Sequence, residues 1–199
     1  MTRTRALALA ALVGLSVSTP ASAALLAING AGQLTGATGV EVNDIFYDVE
    51  FRDGTCIELF DGCDEASDFV FGSSAEAADA SQQLLDQVFL DQGTLATAFD
   101  SDPSLTYDCL SVVRCIAFTP WFVSDGNVSI EGAANYNPAS ADLVTSAGAQ
   151  ANYSSFVSPD VTWAIWREGS PPVSIPLPSS ISLLLPALGA LALSRRRRG

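Results

Sequence analysis

Four cysteines and one crowd of carboxylates are the side chains whose spacing constrains chemistry most. Four thiols allow three pairings, and the two local ones, Cys56–Cys63 and Cys109–Cys115, are favoured. Each would close a short loop and contribute about 2.5 kcal/mol through the entropy removed from the unfolded chain. A zinc site would need all four thiolates, and neither spacing is the short one that zinc prefers. Asp61, Asp64, Glu65 and Asp68 crowd onto one turn around Gly62 and Cys63. Hard oxygen ligands on a glycine-permitted turn suit calcium, so these four are a candidate calcium site. Their order is not that of an EF-hand loop, and a solvated acidic turn is the competing reading.

The missing residues exclude more than the present ones suggest. The chain has no histidine, and all nine of its basic residues are arginine. The commonest general base, the commonest nitrogen metal ligand and the Schiff-base nucleophile are therefore absent. There is no G-x-S-x-G elbow. Among hydrolytic mechanisms a paired-carboxylate glycosidase survives, and the expectation is a protein that is not an enzyme. Trp121, Trp163 and Trp166 could stack on sugar rings, which makes a glycan-binding or exopolysaccharide-binding module the alternative.

Charge narrows the partners. Residues 24–172 carry Arg52, Arg114 and Arg167 against all 22 acids, 3 minus 22, or −19. Such a surface repels phosphates, so no nucleic-acid partner is expected.

Both ends read as address segments. Arg3 and Arg5, the apolar run from Ala6 to Val17, Pro20 and the A-x-A string Ala21-Ser22-Ala23 make residues 1–23 a signal peptide, cut by signal peptidase before Ala24. Val173 to Leu193 carries no charge, is about 30 Å long as a helix, and is followed by Arg195, Arg196, Arg197 and Arg198. The arginines should stay cytoplasmic, leaving the domain before them outside. Pro176, Pro178 and Pro186 make this span a poor permanent anchor.

The string Val173, Ser174, Ile175, Pro176, Leu177, Pro178 and Ser179, then the leucine-rich span and the arginine cluster, resembles the PEP-CTERM class of sorting signals. It is closest to the variant reading Val-Pro-Leu-Pro-Ala, with Ile175 for the Val and Ser179 for the Ala. The resemblance covers residues 173–199 and rests on the order of motif, span and cluster. It implies an exosortase as partner, in a Gram-negative bacterium. It also implies cleavage near the prolines and delivery to the cell surface, envelope or extracellular matrix after a transient membrane-inserted stage. A Gram-positive sortase signal would need a Thr-Gly pair after its proline, and a GPI signal would not end in arginines. The stretch from Gly54 to Phe89 also resembles an ectodomain found in such sorted proteins, and this implies no activity.

The elements that must position the middle residues follow from periodicity. The fold class expected is α+β: a small, mostly antiparallel β domain at 24–168 with one amphipathic helix, a linker at 169–172, and a single C-terminal transmembrane helix within 173–199. Ile45, Tyr47, Val49 and Phe51 alternate with polar residues, which predicts a half-buried strand. Arg52-Asp53-Gly54 would turn it into a hairpin setting Val49 opposite Ile57, Tyr47 opposite Leu59 and Asp48 opposite Glu58. Ser73 or Ser74 caps a helix to about Asp91, with Ala77, Ala78, Leu84, Leu85, Val88 and Phe89 as its apolar stripe. Strands are expected at Leu110–Phe118, Trp121–Val123, Val128–Glu131 and Val161–Trp166, and a loop over Ala133–Gln150.

Overall fold

The computed structural model describes residues 24–93 and 97–172. The signal segment with Ala21 and Ala23, the sorting motif, the apolar span and the arginine cluster lie outside these residues. Among the described residues no helix is long and apolar enough to cross a membrane.

Seven strands form one sheet: β1 (Leu25–Ile28), β2 (Leu34–Val42), β3 (Ile45–Arg52), β4 (Arg114–Ser124), β5 (Asn127–Tyr136), β6 (Leu143–Gln150) and β7 (Val161–Glu168). Their order is β1-β2-β3-β7-β4-β5-β6. The β4–β7 pair is parallel and the other five are antiparallel. The helices are α1 (Cys56–Leu59) and α2 (Ser74–Gln83). The class is α+β with mostly strands, as the periodicity implies.

β7 explains how one sheet holds two cores. Val161 to Trp166 are all buried. Period two sends Ala164 and Trp166 to one face and Trp163 and Ile165 to the other. A central strand covered on both sides reads as a continuous apolar run, and this one does. On the first face α2 lays Ala77, Ala80 and Leu84 against Ala117 and Ala133 of the sheet. Alanines on both sides of the contact permit that close approach; on the opposite face a Cβ added at Gly132 would lie 2.8 Å from Ile116 Cγ2. On the second face Phe60, inside the disulfide-closed segment after β3, packs edge to face on Trp163, and Phe69 beyond that segment joins the same cluster. Phe69 belongs to this cluster and Phe71 to the first, so the chain changes sides between them.

Several expectations are corrected. β3 spans the expected residues, but its partners are β2 and β7, with Asp48 opposite Arg167 and Val49 opposite Trp166. The hairpin fails because Thr55-Cys56-Ile57-Glu58 is a capping box. Thr55 Oγ1 accepts from the Glu58 N–H at 3.2 Å, and Glu58 Oε2 accepts from the Thr55 N–H at 2.9 Å. That reciprocal pair starts α1 where a return strand was expected.

α2 is capped by Ser73, whose hydroxyl accepts from the Glu76 N–H, and continues as a wider π-type turn through Leu84–Val88. Ala80 and Ser81 are buried where Ala78 was expected. β4 begins at Arg114, because residues 110–113 lie in the loop closed by Cys109 and Cys115. It runs through Pro120, and its register with β5 shifts between Pro120 and Phe122, as a proline inside a sheet requires. Residues 133–136 complete β5, and 143–150, expected as loop, form β6. Small residues hide a strand's period because few of them have a face to show.

Candidate functional site

Among the described residues, four places bring chemically capable side chains together. The first is the acidic turn. Cys56 and Cys63 form one disulfide and Cys109 and Cys115 the other. The first bond holds Asp61, Gly62 and Cys63 at φ of 42°, 101° and 53°. It sets the turn against the sheet, with a cavity of about 220 Å³ between Asp61, Asp68, Pro120 and Arg167.

The four candidate calcium ligands are not drawn into one cluster in the described structure. Asp68 Oδ2 accepts from the backbone N–H of Asp64 at 2.9 Å and of Glu65 at 3.1 Å. That carboxylate caps its own turn, and Asp64 and Glu65 are exposed. Among the described residues no three His, Cys, Asp or Glu side chains gather closely enough to hold a metal ion.

The second place is the tryptophans. Trp163 is fully buried and donates from Nε1 to the Gly54 carbonyl at 3.1 Å. Trp166 is 5% exposed and donates to Thr119 Oγ1 at 3.1 Å. Trp166 borders the cavity of about 220 Å³, and Trp163 does not line it. Trp121 is half-buried and stacks on the exposed Phe122, their ring centres 5.7 Å apart.

The third is a cleft of about 640 Å³ at the end of β6, lined by Phe118, Gly148, Ala149, Gln150, Asn152 and Tyr153. Trp163 meets Phe118 edge to face at 5.5 Å, which fixes the ring that forms one wall. The lining carries amides, a phenol and an aromatic face, and no charge.

The fourth is two carboxylate pairs that sequence reasoning missed. Asp108 Oδ2 accepts from the Asp53 N–H at 2.9 Å, linking the end of β3 to the disulfide loop. Burial raises the Asp108 carboxyl to about 6, with the negative charge of Asp53 second. Burial also raises Asp53, against a lowering hydrogen bond from Ser155. Asp142 Oδ1 accepts from the Tyr136 N–H at 2.6 Å. Burial, with Asp100 alongside, raises Asp142 to about 6. No local signal could have paired residues so far apart in sequence.

Raised carboxyls suit a general acid. Neither pair lines the cavity between Leu59 and Arg167, the cleft beside β6 or the cavity between Val42 and Glu76.

Of the residues expected to carry sorting and processing, Ala24 is described. It packs against the first core cluster just before β1. A scan against protein-family models, a search of curated proteins and a search of solved structures each find no match to this chain.

Proposed function

We propose that this chain is an exported, non-catalytic surface or extracellular-matrix protein, delivered by a C-terminal signal that an exosortase reads. The observation carrying the proposal is the ordered tail: Ile175-Pro176-Leu177-Pro178-Ser179, an uncharged apolar span, then Arg195 to Arg198. An anchor gains nothing from prolines at its outer mouth. A processing enzyme gains an extended backbone there, because proline disfavours helix in the residue before it. Supporting it, both disulfides suit an oxidising compartment.

The test is cell fractionation with Pro176→Ala and Pro178→Ala combined. The variant is expected to strengthen the helix and leave uncut precursor in the inner membrane. Normal delivery of the variant would argue against a proline-dependent signal.

A glycan-binding module is the second reading. The neutral cleft of Phe118, Gln150, Asn152 and Tyr153 favours it, in place of the buried Trp163 and Trp166.

A further inference from the structure

Folded proteins protect the edges of their sheets by keeping edge strands short, bulged, proline-bearing or charged. The two edges of this sheet are treated differently. β1 has four residues, and its register with β2 breaks between Ala27 and Ile28. β6 has eight residues, and its register with β5 runs unbroken from Leu143 opposite Ala134 to Gln150 opposite Asn127. Nothing among the described residues pairs with the outer side of β6. None of its side chains is buried. It contains no proline, and no residue from Leu143 to Pro159 is charged. This neutral run interrupts a domain whose formal net charge is 3 minus 22, or −19. Exposed apolar groups continue it, with Leu143 at 47%, Phe156 at 74% and Val157 at 76% exposure.

We infer that β6 is an interaction edge whose occupant is β6 of a second copy of this chain, paired antiparallel across a twofold axis. Charge selects a second copy. Two acidic domains repel wherever their carboxylates face each other, and least where both present this neutral strip. Cross-strand neighbours in such a pairing meet on the faces of the sheet, and mid-strand Ser146, Ala147, Gly148 and Ala149 place no like charges opposite each other there. Symmetry sets the product. An antiparallel strand pairing with itself is an isologous contact that closes at two copies, so the expected species is a dimer rather than a fibre. The inference is independent of where the protein is delivered.

The test is sedimentation of the full chain in a mild detergent, across protein concentration and at low and high salt. The wild type is expected to be a dimer whose affinity rises at least tenfold from low to high salt as repulsion is screened. Ala147→Glu, an exposed position, should weaken dimerisation at least tenfold while leaving the melting temperature unchanged. Leu25→Glu, on the opposite edge, should dimerise like the wild type. Hydrogen exchange of the wild type should show residues 143–150 gaining protection with concentration. A wild type that stays monomeric overturns the inference. So does a dimer insensitive to Ala147→Glu, which would place the contact in residues 173–199 or elsewhere. Equal loss in Leu25→Glu, or growth into open polymers, would also overturn it, by pointing to β6 pairing with β1.

Discussion

Asp108 offers the sharpest test of how this acidic domain tolerates its own charge. Its carboxyl rises from the ordinary 3.8 to about 6, through burial first and the charge of Asp53 second. A raised carboxyl prefers its proton in the folded state. Its contribution to stability is therefore fully present below the unfolded value near pH 4, and is lost as pH rises through about 6. Converted in full at 1.36 kcal/mol per pH unit, the displacement is about 3 kcal/mol. The side chain is partly open to water, and screening reduces this to about 1 kcal/mol. Asp108→Asn removes the charge and keeps the geometry. An amide oxygen can still accept from the Asp53 N–H, and asparagine tolerates the left-handed φ of 68° at this position. Chemical denaturation of the two proteins at pH 4 and pH 7.5 is the assay. The variant is expected to be more stable by about 1 kcal/mol at pH 7.5 and equal to the wild type at pH 4. Equal stability at pH 7.5 would refute the strain argument. A destabilised variant would show that the charge is in use, for example by a bound cation.

Other outcomes follow from the same geometry. Glu131 is buried and accepts from the hydroxyls of Ser74 and Ser146, each at 2.7 Å, tying α2 to β6. Glu131→Ala should cost about 2 kcal/mol in urea unfolding by leaving both hydroxyls without that partner. Replacing Cys56 and Cys63 together by Ser should cost about 2.5 kcal/mol, the loop-closure value for a short loop, and lower the urea midpoint accordingly. Denaturing thiol titration of the oxidised protein should find no free thiol among the four cysteines.

What the sequence revealed depended on side-chain size and on range. β3 and β7 were legible because large apolar residues mark their faces, and α2 because Ser73 and its apolar stripe agree. β2 carried no expectation at all: its Gly36 approaches the Val49 carbonyl so closely that an added Cβ would lie 2.1 Å away. Such a strand is specified by its neighbours rather than by propensity. β6 was hidden for a related reason, its small residues having no apolar period. The local hairpin does not form because the Thr55–Glu58 capping box starts a helix where Ile57 and Leu59 alternate. The disulfides were legible because both are local. The Asp53–Asp108 and Asp100–Asp142 pairs were not, since each forms only when distant segments fold together. In the acidic turn composition could not show that Asp68 accepts from the backbone N–H of Asp64 and Glu65.

The fate of residues 173–199 decides whether an exosortase delivers this protein. Intact-mass analysis of the wild-type protein recovered from the cell surface or surrounding matrix measures it. The mass is expected to begin at Ala24 and end at or next to Ile175 to Ser179, with Arg195 to Arg198 absent and two disulfides present. A mass that includes the arginine run would make residues 173–199 a plain anchor and contradict exosortase processing.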